Sequence, residues 1–111
     1  MRYSPKDIVL IPFPFTHFDA NTIRPALIIS KQNQYGDHVV LFLTSQVKKY
    51  EKNKENILIK KSETNNLAVD SLVMPAKIAT LSESMMIEKI GVINEGEWSK
   101  IKKELKKILG I

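Results

Sequence analysis

The chain has 111 residues, 43% of them hydrophobic, which is enough for one core and matches the size of a single domain spanning residues 1–111. It contains no cysteine, which excludes disulfides and thiolate metal sites and fits a reducing cytoplasm; no tract is long enough to span a membrane, and the first residues lack the apolar segment of a signal peptide. The net charge of +5 permits a polyanionic partner, nucleic acid or an acidic protein, but a solvated lysine-rich surface explains it equally well.

The run 7–13, Asp-Ile-Val-Leu-Ile-Pro-Phe, is apolar on both faces and predicts a central strand. Pro12 and Pro14 stop ladder pairing, so residues 13–22 predict a loop, closed by the turn chemistry of Asp19-Ala20-Asn21. That loop carries Phe15, His17 and Phe18; the two rings either pack beneath it or offer stacking surfaces to bases. Pro25 has no N–H to donate, so the second strand starts there or its beginning is a sheet edge. Residues 32–37 read as a hairpin connection to a third strand over 39–44. Such a hairpin sets Arg24 opposite Thr44 and Ser45, so a cation, two hydroxyls and the Gln46 amide share one end of a small sheet.

Residues 48–56 predict a charged, exposed loop whose Lys48 and Lys49 are candidates for a phosphate-facing patch. A short strand follows at 57–59, then a turn at 64–66. Residues 72–75 and 77–81 read as one strand interrupted at Pro75. The segment 85–93 is ambiguous, with strand favoured for its second half by Gly91 and its β-branched neighbours. Asn94 and Glu97 form a capping-box pattern, and Trp98, Ile101, Leu105, Ile108 and Leu109 recur at helical spacing before Gly110. Trp98 and Leu105 are the residues expected to bury against the sheet. The sum is a mainly β protein, a small antiparallel barrel of five to seven short strands with a C-terminal α-helix.

The segment Asp-Ile-Val-Leu-Ile-Pro-Phe, then a polar loop, then Arg-Pro-Ala-Leu-Ile-Ile-Ser, then a strand ending Leu-Thr-Ser-Gln, resembles the PemK/MazF family of toxin endoribonucleases. The likeness continues more weakly through 74–80 and 91–109. It implies an SH3-like barrel, a homodimer, single-stranded RNA as substrate and a cognate acidic antitoxin as partner. It also implies that Arg24 and Thr44 form the functional pair.

Other chemistries fit poorly. His17 and His38 are the only imidazoles, the four glycines are scattered, and no serine sits in a recognisable nucleophile setting. RNA cleavage by its own 2′-hydroxyl needs no metal, cofactor or enzyme nucleophile. It needs stabilised phosphoryl charge, an aligned 2′-oxygen and a proton path. Arg24 can hold two phosphate oxygens at once, while Thr44, Ser45 and Gln46 can orient the phosphate or the 2′-oxygen. With Phe15, Phe18, Lys48 and Lys49, Ser45 and Gln46 complete the expected RNA-contacting set.

Some relatives carry an Arg and an Asp where alignment places Met74 and Ala76, and neither of these can move a proton. His17 is then the imidazole nearest the expected site and the candidate proton shuttle. A second reading, from a different class, keeps the barrel and drops the chemistry: a binding module for nucleic acid, or a toxin that inhibits a topoisomerase by contact.

Overall fold

The computed structural model describes residues 2–12 and 23–111. Among the described residues six strands form one antiparallel sheet: β1 (Asp7–Pro12), β2 (Ile23–Ile28), β3 (Asp37–Thr44), β4 (Ile57–Ile59), β5 (Ser71–Ser82) and β6 (Glu88–Val92), in the spatial order β4-β5-β3-β2-β1-β6. A one-turn helix α1 (Val47–Tyr50) follows β3, a 3₁₀ turn (Glu83–Met85) follows β5, and the long helix α2 (Glu95–Leu109) closes the chain. Among the described residues no helix is long and apolar enough to cross a membrane.

The apolar runs on β1, β2 and β3 are explained by burial on both sides of the sheet. Ile8, Leu27, Leu41 and Leu43 pack into one cluster with Ile57, Ile59, Val73 and Ile101. Their immediate neighbours Val9, Ala26, Ile28 and Val40 point the other way and pack with Tyr3, Leu81 and Met86. Adjacent residues serving opposite clusters is the two-residue period of a strand.

The sheet curls until its ends approach each other. The turn after β4 meets the edge strand β6, where the Val92 N–H donates to the Thr64 carbonyl (3.1 Å) and Asn66 Nδ2 donates to the Ile90 carbonyl (2.6 Å). A side chain at Gly91 would collide with the Thr64 carbonyl and the Asn65 backbone, so this approach requires glycine. The result is the mainly β, barrel-like architecture expected from the sequence, with the helix laid over one cluster.

Several expectations are refined. Strand β2 begins at Ile23, two residues before Pro25, and Pro25 pairs with Leu10 of β1. The β2–β3 ladder, however, stops at Ala26, so the Arg24-Pro25 end of β2 is paired on one side only. The interruption at Pro75 is a bulge in a continuous strand. Register with β3 jumps between Leu41↔Ile78 and Phe42↔Met74, leaving Pro75, Ala76 and Lys77 outside the ladder. The loop expected at 48–56 opens with α1, a single turn held by the Tyr50 N–H to the Gln46 carbonyl (3.3 Å) and the Glu51 N–H to the Val47 carbonyl (2.8 Å).

Helix α2 carries the predicted capping box, with Asn94 Oδ1 accepting from the Glu97 N–H (2.7 Å) and Glu97 Oε1 accepting from the Asn94 N–H (3.0 Å). Gly110 ends it in the left-handed region at φ 71°. Ile101, rather than Trp98 or Leu105, is the fully buried residue of this helix. It sits three residues after Trp98 and four before Leu105, at the middle of the inward stripe, and those two flank it half-buried.

Candidate functional site

The β2–β3 hairpin places the candidate pair. Pairing of Ala26 with Phe42, Leu27 with Leu41 and Ile28 with Val40 sets the register, and Arg24 and Thr44 each lie two residues beyond the last pair of that ladder. The hairpin turn that fixes this register is built by Asn33, whose side-chain oxygen accepts from the Tyr35 (2.9 Å) and Asp37 (3.0 Å) N–H groups. Gly36 takes the left-handed position there at φ 82°.

Arg24 and Ser45 line an open cavity of about 520 Å³. Its near wall is Leu10, Ile23, Pro25 and Leu43; its far wall comes from residues 66–69 and Ser71 around the β4–β5 connection, with Ile90 of β6. The described lining is mostly apolar, and the polar residues among it are Arg24, Ser45, Asn66 and Ser71. Among the described residues no Asp, Glu or His lines the cavity. An arginine on an apolar wall beside hydroxyl and amide groups suits a ligand with one compact negative charge.

Thr44 is buried behind this surface at 8% exposure, and its hydroxyl oxygen accepts the Gln46 N–H at 3.1 Å. That bond shapes the corner that turns Ser45 toward the cavity. Gln46, Lys48 and Lys49 are exposed on the corner and on α1, outside the cavity lining. Lys49 lies over the Tyr50 ring, 5.3 Å from its centroid. Phe15, His17 and Phe18 lie outside the described residues. Met74 is half-buried opposite Phe42, and Ala76 is exposed in the bulge of β5; neither lines the cavity.

His38, the other imidazole, belongs to the opposite end of the hairpin. It is fully buried, with Nδ1 3.1 Å from the Ser30 carbonyl and Nε2 2.8 Å from Glu83 Oε2. Among the described residues no group of three His, Cys, Asp or Glu side chains gathers in a way that could hold a metal ion.

The far wall was not visible in the sequence. Asn65-Asn66 signals a turn, and Asn66 does adopt a positive φ of 55°. That this turn stands across from Arg24 follows from the curl of the sheet, which no local pattern encodes.

The chain is thus a small antiparallel, barrel-like protein with a C-terminal helix and an arginine-bearing cavity at one hairpin end. The family model for the PemK-like, MazF-like toxin of type II toxin-antitoxin systems matches residues 4–109, so the chain belongs to that family. Its fold is similar to MazF in a MazE-MazF crystal structure from Deinococcus radiodurans (TM-score 0.77, 16% identity, 100% of this chain and 98% of the other). It is also similar to the Mycobacterium tuberculosis toxin MazF-mt6 (TM-score 0.73, 14% identity, 95% and 97%). A third likeness is to an endoribonuclease in complex with its cognate antitoxin from a mycobacterial species (TM-score 0.73, 18% identity, 99% and 95%). Among curated proteins none matches the chain.

Proposed function

We propose that this toxin-family chain is a metal-independent, sequence-selective endoribonuclease that cleaves single-stranded mRNA through the RNA's own 2′-hydroxyl. The observation that carries the reading is Arg24 beside Ser45 on the wall of the open cavity, on the part of β2 paired on one side only. In the step envisaged, the 2′-oxygen attacks phosphorus and the 5′-oxygen leaves, giving a 2′,3′-cyclic phosphate and a 5′-hydroxyl. Arg24 holds the phosphoryl oxygens as their charge grows, and Ser45 helps orient them. Thr44 acts here by fixing the corner that carries Ser45, in addition to any contact with the phosphate. His17 remains the proposed proton shuttle, and Phe15, Phe18, Gln46, Lys48 and Lys49 the proposed flanking RNA contacts.

The biological unit we propose is a cytoplasmic homodimer neutralised by an acidic antitoxin. The solved neighbours that include MazE-MazF complexes, together with the chain's net charge of +5, support such a partner. One observation favours the second reading, a binding module without chemistry: among the described residues the cavity lining offers no carboxylate or imidazole, and Met74 and Ala76 supply none.

Incubating the purified protein with RNA in EDTA separates the two. Cleavage that yields cyclic-phosphate ends, and that stops when the nucleotide before the cut is 2′-deoxy, supports the enzyme. RNA binding without cleavage supports the module.

A further inference from the structure

Three further depressions continue from the Arg24 cavity, each sharing lining residues with the one before. Asn66 and Leu67 are common to the Arg24 cavity and a shallow one of about 400 Å³ over the β4–β5 turn. Lys61 and Ser62 are common to that one and a groove of about 620 Å³ between β4 and the start of α2. Leu58 and Lys100 are common to this groove and a last one of about 380 Å³ farther along α2. The four thus follow one another, through shared lining residues, from the hairpin end to the exposed side of the helix.

Lysines border that path along its length: Lys61 and Lys60, then Lys100, then Lys54, Lys103 and Lys107. All six are exposed, and of these six only Lys107 is ion-paired with a described residue, Glu104 at 3.6 Å. Three acids share the border. Glu97 is held by the capping box, Glu104 faces Lys107, and Glu63 lies on the turn. Among the described residues no aromatic side chain lines these three depressions, so those residues offer nothing for bases to stack on. Flexible cations over a shallow floor suit phosphate groups, which position a strand without reading its sequence.

We propose that this lysine-bordered path holds the phosphate backbone of RNA flanking the cleavage site, extending the bound strand from Arg24 across the β4–β5 turn to α2. The proposal rests on the endoribonuclease reading for its substrate. An acidic peptide is the competing ligand for such lysines; continuity with the Arg24 cavity favours the strand that occupies that cavity.

The test compares 2′-O-methyl RNAs of mixed sequence, about 6 and about 16 nucleotides long, which bind but lack the attacking hydroxyl. The wild type should bind the longer one at least about tenfold more tightly at low salt, with a steeper salt dependence. The variant Lys60→Gln/Lys100→Gln/Lys103→Gln should lose that advantage, with its salt slope reduced by about 2, because each single-strand phosphate contact contributes about 0.7. Its melting temperature and its cleavage of short unmodified RNA should match the wild type. Equal wild-type affinity for both lengths would overturn the proposal. So would a triple variant that keeps the full length advantage while losing affinity only for a glutamate-rich peptide. A wild type that cleaves no RNA, yet shows the lysine-dependent length advantage, would remove the enzymatic reading and leave the path standing.

Discussion

The two ends of the β2–β3 hairpin solve opposite problems with the same strands. At the turn end, His38 is fully buried between the Ser30 carbonyl and the Glu83 carboxylate, while the Ser30 hydroxyl accepts the Val39 N–H at 2.8 Å. The Glu83 N–H donates to the Gly36 carbonyl (3.0 Å), and the Tyr3 ring meets His38 edge-on with centroids 6.4 Å apart. Both ring nitrogens of His38 are engaged, one by the Ser30 carbonyl and one by Glu83, so this end is a closed polar clamp. At the other end the β2–β3 ladder stops short, and Arg24 and Ser45 look into an open cavity. One end is closed, the other open.

Substitutions should separate the ends. The largest effect expected is on activity: Arg24→Ala should lower RNA cleavage a hundred- to a thousandfold, about 3–4 kcal/mol in the barrier, with the melting temperature little changed. A variant that cleaves normally but melts far lower would make Arg24 structural. The complementary change is His38→Leu, which leaves Glu83 and the Ser30 carbonyl without their partner. It should cost about 3 kcal/mol in urea unfolding, while the folded protein keeps its RNA affinity. Loss of RNA affinity without loss of stability would erase the contrast between the ends.

Thr44 stands between these cases because its hydroxyl already accepts the Gln46 N–H. Thr44→Val should therefore cost about 1 kcal/mol of stability and reduce cleavage less than Arg24→Ala does. Thr44→Ser should restore both. A Thr44→Val loss as large as that of Arg24→Ala, at unchanged stability, would move Thr44 from a positioning residue to a catalytic one.

The contrast was half legible in the sequence. Strand β1, the hairpin and the capped helix follow from local signals: apolar runs, Asn33 and Gly36, and the Asn94/Glu97 box. The hairpin register itself was legible too, because a hairpin fixes pairing once its turn is placed, and its observed ladder runs from Ile28↔Val40 to Ala26↔Phe42. What was not legible depends on distant parts of the chain. The clamp joins His38 to Glu83 across the β3–β5 pairing, and the far wall of the cavity comes from residues 66–69. Both require the curl of the sheet, and its tightest approach is marked in sequence only by Gly91. The path along α2 was hidden similarly: its lysines come from three separate segments, and the charge pattern of the helix alone reads as a solvated face.

The smallest effect expected lies outside both ends and serves as their control. Lys6, at a left-handed φ of 82° just before β1, is ion-paired with Glu95 in the first turn of α2. The Lys6 hydrogen bond, then the Lys6 charge, hold the Glu95 carboxyl below its ordinary value. A carboxyl lowered in the folded state contributes stability above its unfolded pKa and loses it as pH falls through the folded one. The melting temperature of wild type should thus exceed that of Glu95→Gln slightly at neutral pH, with the gap closing as acid protonates Glu95. Because the pair is solvent-exposed, salt should narrow the same gap. RNA cleavage and binding should be unaffected, since neither residue borders the cavity or the lysine path. A gap that persists undiminished in acid would assign the difference to the helix start itself, through the capping turn, rather than to the charge on Glu95.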